Sequence, residues 1–95
     1  MFITEQATTT TTTDQDDGVP GGSFGQCVIT NESHGDYQAW NGQYWGAYQF
    51  SYSTWKEYGG NPADWGHAGP AEQNQVFATA IADGGQSNWA PFDGC

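Results

Sequence analysis

Two cysteines, Cys27 and Cys95, bracket nearly everything in this chain that can build a core. Of five Trp, five Tyr and five Phe, all but Phe2 and Phe24 lie between them. The stretch TEQATTTTTTDQDDGVPGGS, residues 4–23, has low complexity, no periodicity and several breakers, which is the composition of a tail or linker. The reading is one domain over 23–95 behind a Thr-, Asp- and Gly-rich tail over 1–22. A core of about 70 residues is marginal on apolar burial alone, and domains of that size commonly need a staple. A Cys27–Cys95 bond would supply one, removing about 4 kcal/mol of unfolded-state entropy. Such a bond belongs to an oxidising compartment; two unpaired thiols in a reducing one are the alternative.

Eleven acids stand against a single basic residue, Lys56, for a net charge of −10. That balance repels phosphate backbones and anionic membranes, so neither nucleic acid nor a membrane is expected as a partner. An uncharged or weakly charged ligand such as a polysaccharide suits a surface rich in Trp, Tyr, Asn and Gln. Residues 1–22 carry no secretory-signal pattern, and no run is long enough to span a bilayer. A processed or excerpted chain, cell lysis, or delivery in a phage particle are then the routes to an extracellular or cell-wall location. The segment DQDDG, residues 14–18, has the composition of a calcium loop but neither its ligand spacing nor its closing glutamate. His34 and His67 stand in turn-like sequence with no acid or cysteine at ligand spacing, and read as surface residues. No metal and no cofactor is expected.

From Ser23 the pattern becomes helical. Phe24, Cys27 and Val28 recur at helical spacing, Ser23 can cap, and Gly35 can take a left-handed stop, which predicts a helix over about 24–33. Asn41-Gly42 between aromatic flanks predicts a small β-hairpin over 37–49. Serine caps, Tyr52, Trp55 and a Gly-Gly stop predict a helix over 52–58. The last helix opens at Pro70 with Glu72 in its first turn, carries Phe77, Ala80, Ile81 and Gly84 on one stripe, and closes on glycines. The fold class is α+β: mainly short helices with one small β-hairpin.

Glu32 is the candidate acid. It follows Val28 by four and Ile29 by three, which sets it beside an apolar stripe near a helix C-terminus. Partial burial and the negative end of the helix dipole both disfavour its charge, so its pKa should rise, as a general acid near neutral pH requires. A solvated glutamate at a frayed helix end is the bland alternative. Among Trp40, Tyr44, Trp45, Tyr48 and Phe50, strand alternation should turn some rings outward, where sugar rings can stack on them. Gln49 has an amide suited to an acetamido group.

Five separated pieces, CVITNES, WGAYQF, STWKEYGG, PAEQ and a Trp-Ala-Pro end shortly before the last cysteine, occur in one order. Together they resemble the transglycosylase-like domain of resuscitation-promoting factors from actinobacteria and their phages, over residues 24–95. The resemblance implies a small lysozyme-like fold, a Cys27–Cys95 disulfide, and cleavage of β-1,4 bonds between the sugars of peptidoglycan glycan strands. It implies Glu32 as the catalytic residue and Tyr44 and Thr54 as lining of the substrate cleft. Gln49 matches the glutamine of a Gly-x-x-Gln element. Trp40 and Tyr48 join the substrate-binding set from the aromatic segment. Where relatives often carry a glutamine before their closing Gly-Trp, this chain has Gly84 or Gly85, with Gln86 next.

No second carboxylate suits the far side of a sugar from Glu32: Asp36 is too near in sequence, and Glu57 ends the next helix. The expected reaction is therefore a single-acid lytic transglycosylase, with a lysozyme-type hydrolase as the close variant. A non-catalytic glycan-binding module and a structural subunit of a phage or wall assembly are the rivals. Because walls are themselves largely anionic, a tethering partner reached through the N-terminal segment is expected to replace electrostatic steering.

Overall fold

A computed structural model describes residues 18–95. The Thr-rich stretch, most of the tail and most of the calcium-loop-like segment lie outside the described residues. Four α-helices follow one another: α1 (Gly22–Ser33), α2 (Tyr52–Glu57), α3 (Pro70–Ala82) and α4 (Ala90–Asp93), with 3-10 turns at Pro62–Asp64 and Gly85–Asn88. None of these helices is long and apolar enough to cross a membrane.

The helix ends follow from local chemistry. α1 starts behind a left-handed Gly21, and Ser23 lies inside the helix instead of capping it. It stops on His34, itself left-handed, whose N–H bonds Thr30 O while Gly35 N–H reaches back to Ile29 O. At α2, Ser51 Oγ accepts from Thr54 N–H, a side-chain cap. α3 opens on Pro70, which lacks the N–H that a first turn leaves unbonded, and buries Gln73, Val76, Phe77 and Ala80. Gly84 falls beyond its end, ahead of the Gly85–Asn88 turn.

The α+β reading is corrected here. The described residues are 55% helix and 4% strand, with no sheet. The expected hairpin over 37–49 is replaced by two isolated bridges, Trp40 with Trp45 and Trp45 with Phe50. The physical cause is a pair of consecutive turns. Asn41 Oδ1 accepts from both Gln43 N–H and Tyr44 N–H, folding 41–44 into a side-chain-closed turn. Trp45 and Phe50 then exchange both backbone bonds at 3.0 and 2.9 Å around a second turn. Trp45, Gly46, Ala47 and Tyr48 are all buried in succession, which no alternating strand allows.

Those buried rings are the centre of the core. Tyr48 stacks on Phe77 of α3 at 4.0 Å between centroids, and Phe77 meets Trp89 edge-on at 4.8 Å. Phe50 touches Trp55 of α2 and Trp89. One polar group ties the layers together: fully buried Gln73 accepts from Ala47 N–H and donates to Tyr37 O and Ala68 O, each at 2.9 Å. With those partners its burial is no loss. Ahead of α1, Val19 packs against the same core, so packing begins before the boundary expected at Ser23. The Cys27–Cys95 disulfide is formed, tying α1 to the C-terminal end across 68 residues.

Candidate active site

Glu32 stands in the last turn of α1, one turn beyond Val28 and Ile29, both buried. α4 packs against α1, and the disulfide closes the same contact two residues after Asp93. Asp93 is thereby brought close enough to Glu32 for its carboxyl to act on the acid. Two neighbouring carboxyls can hydrogen-bond to each other only when one carries a proton. Glu32 has its pKa pushed up to about 8, first by burial, then by the hydrogen bond with Asp93, then by the charge of Asp93. Asp93 Oδ2 is buried and finds no partner among the described residues. A proton on Glu32 would offer the Asp93 carboxyl a donor.

The acid opens into a hollow of about 280 Å³ lined by Glu32, Tyr44, Gln49, Asn88, Trp89 and Phe92. A second hollow of about 400 Å³ shares Tyr44, Gln49, Asn88, Trp89 and Phe92 and extends to Ser51 and Thr54. The two form one groove, with Glu32 at one end and Thr54 at the other. Phe92 is 80% exposed and Tyr44 37%, which leaves ring faces available along it.

Gln49 is held in an unusual way. Its backbone is left-handed, φ 54°, and its side-chain NH₂ donates to Gly46 O at 2.8 Å and Ala39 O at 3.3 Å. Strain of this kind in a side-chain-bearing residue concentrates at functional sites. With the NH₂ engaged on the backbone, the amide oxygen is the atom that can accept from a ligand N–H. Thr54 Oγ1 accepts from Ser51 Oγ at 2.9 Å, which orients it at the groove's far end.

The other two expected contacts lie elsewhere. Tyr48 has no exposed surface: its ring is in the core and its hydroxyl donates to Asn74 Oδ1 at 2.6 Å, so a ligand cannot reach it. Trp40 is exposed but lines a separate hollow with Gln38, Trp45, Trp65 and Gly66. The expectation for both rested on hairpin alternation, which the two turns remove. Another hollow, about 590 Å³, runs from Gly18 to Asn74 and has no carboxyl among the described residues that line it. His34 and His67 are exposed, and His67 Nε2 sits 2.7 Å from Ala63 O. Among the described residues no three His, Cys, Asp or Glu side chains come together as a metal site.

Asp93, Asn88 and Phe92 were not legible as site residues. A signal for Asp93 did exist: a bond from Cys27 to Cys95 brings residue 93 close to a side chain five residues along α1, about 7.5 Å of helix rise. Comparison with protein-family models, curated proteins and solved structures finds no match to this chain.

Proposed function

We propose that this chain is a peptidoglycan-cleaving glycosidase in which Glu32 is the single acid, acting on the β-1,4 bond between N-acetylmuramic acid and N-acetylglucosamine as a lytic transglycosylase. The observation that carries the reading is a carboxyl kept protonated toward pH 8 at the end of a groove with exposed aromatic faces. The sequence resemblance to resuscitation-promoting factors supports the substrate class.

Glu32 donates its proton to the glycosidic oxygen as the C1–O bond breaks, leaving an oxocarbenium-like centre on muramic acid. That sugar's own C6 hydroxyl then attacks C1 and returns its proton to Glu32, giving a 1,6-anhydro end and a regenerated acid. Two-carboxylate mechanisms set the pair about 5–5.5 Å apart for retention and about 6.5–9.5 Å for inversion, with the sugar between. Asp93 adjoins Glu32 and helps to raise its pKa, so it stands beside the acid, not across a sugar. Its part is to position the proton. Activity should fall on the alkaline side as that proton is lost around pH 8. The disulfide supports an extracellular or cell-wall setting, where oxidised cysteines persist.

Digestion of purified peptidoglycan by wild type and Glu32→Gln, with mass spectrometry of the soluble products, tests the proposal. Anhydro-muropeptides from wild type alone are expected. Products with ordinary reducing ends would convert the reading to a hydrolase, and equal release by Glu32→Gln would remove Glu32 from the chemistry. Binding without release by either would favour a non-catalytic glycan-binding module, a rival to which the exposed Trp40 lends support.

A further inference from the structure

Trp40 and Tyr52 leave 58% and 46% of their surfaces open, and neither borders the groove that holds Glu32. Their exposure is not slack. Both rings lean edge-on against one indole, Trp65, with centroids 5.7 and 5.6 Å away. Trp65 is fixed in turn, its Nε1–H donating to Phe50 O at 3.0 Å. Trp40 is held from behind by its backbone bridge to buried Trp45. Rings already immobilised lose little freedom when a ligand settles on them.

Gln38, Trp40, Trp45 and Trp65 wall a hollow of about 360 Å³ whose lining carries no charge. At the Tyr52 end stands Lys56, its ammonium 5.5 Å from the ring centroid. It is the only Lys or Arg in a chain of net charge −10. An open, rigid aromatic face, one amide and the sole strong cation thus lie along one surface. Stacking faces suit the C–H side of a pyranose, and an ammonium beside them suits a carboxylate. The net charge of −10 opposes any polyanion, so stacking carries the binding and Lys56 offsets the repulsion only locally.

We propose that the Trp40–Trp65–Tyr52 surface is a second glycan-binding site, separate from the groove, that takes a hexopyranose chain bearing carboxylate groups. Trp40 and Tyr52 present the stacking faces and Lys56 meets a carboxylate. The site does not depend on Glu32 being catalytic: it holds polymer whether or not the groove cleaves it. Stacking is not screened by salt, whereas the Lys56 contribution fades as ionic strength rises.

The test uses Glu32→Gln protein, so that nothing is cleaved, and follows the Trp40 and Trp65 indole N–H signals by NMR. The probes are the neutral β-1,4 N-acetylglucosamine hexamer and soluble peptidoglycan glycan strands. Both indole signals are expected to shift with each probe. Tyr52→Ala should weaken the fitted affinity about tenfold, and Lys56→Gln should weaken only the carboxylate-bearing strands, at low salt. Tyr44→Ala, in the groove, should leave the affinity read at Trp40 unchanged. Indole signals that stay put at saturating probe, or an affinity untouched by Tyr52→Ala, would overturn the proposal. Equal loss in Tyr44→Ala would show one continuous groove and overturn the separate site. Failure of wild type to release muropeptides, with these shifts intact, would count against the enzyme reading alone.

Discussion

The proton on Glu32 is a consequence of where the side chain is put. Burial disfavours its charge, and Asp93 adds an acceptor and a like charge beside it. The folded pKa of about 8 lies above the ordinary 4.5, so between those limits the folded chain binds more protons than the unfolded one. The stability that Glu32 contributes is therefore full below about pH 4.5 and declines as pH rises through about 8. Glu32→Gln removes that titration and keeps an N–H donor for Asp93. Its melting temperature should gain on wild type by several degrees between about pH 5 and about pH 9. A difference between the two proteins that is constant with pH would show that Glu32 does not titrate abnormally in the fold.

At the scale of elements, the aromatic segment is organised by turns rather than strands, and Gly46 is where this is most demanding. Its φ is +92°, and a Cβ there would lie 2.5 Å from Gln73 Oε1, the atom that accepts from Ala47 N–H. Gly46→Ala should cost about 2–4 kcal/mol by denaturant unfolding, since it adds left-handed strain and disturbs a buried hydrogen bond. A loss under about 0.5 kcal/mol, the range of ordinary surface changes, would contradict this. Helices α1 to α3 were legible because periodicity, a serine before α2 and a proline opening α3 act within a few residues, whereas the short α4 was not. Asn41-Gly42 was legible as a turn but not as a kind of turn, because Asn41 closes it with its own side chain. Counting the apolar run at 45–48 against the alternation of a strand would have flagged the misreading. Nothing in the sequence marks Gln73 as buried, and only the packing of Tyr37, Ala47 and Ala68 around it makes it a core residue. Glu32 could be found from its neighbours on α1, whereas its companion Asp93 is 61 residues away in sequence and arrives through tertiary contact.

Across the whole molecule, one covalent bond serves both the fold and the acid. The Cys27–Cys95 disulfide joins α1 to the chain end that carries Asp93, and so holds that carboxyl beside Glu32. Reduction should lower unfolding stability by about 4 kcal/mol, read by denaturant titration. In whatever fraction stays folded, the Glu32 pKa should fall as Asp93 is released. Glu32 must be an acid at neutral pH to protonate a leaving group, and the most direct measurement is its own titration, followed by carboxyl carbon NMR in wild type and Asp93→Asn. A midpoint near 8 is expected in wild type, and in Asp93→Asn a lower one still above 4.5, because burial remains. A wild-type midpoint near 4.5 would contradict it, leaving an ordinary carboxylate at the end of the groove.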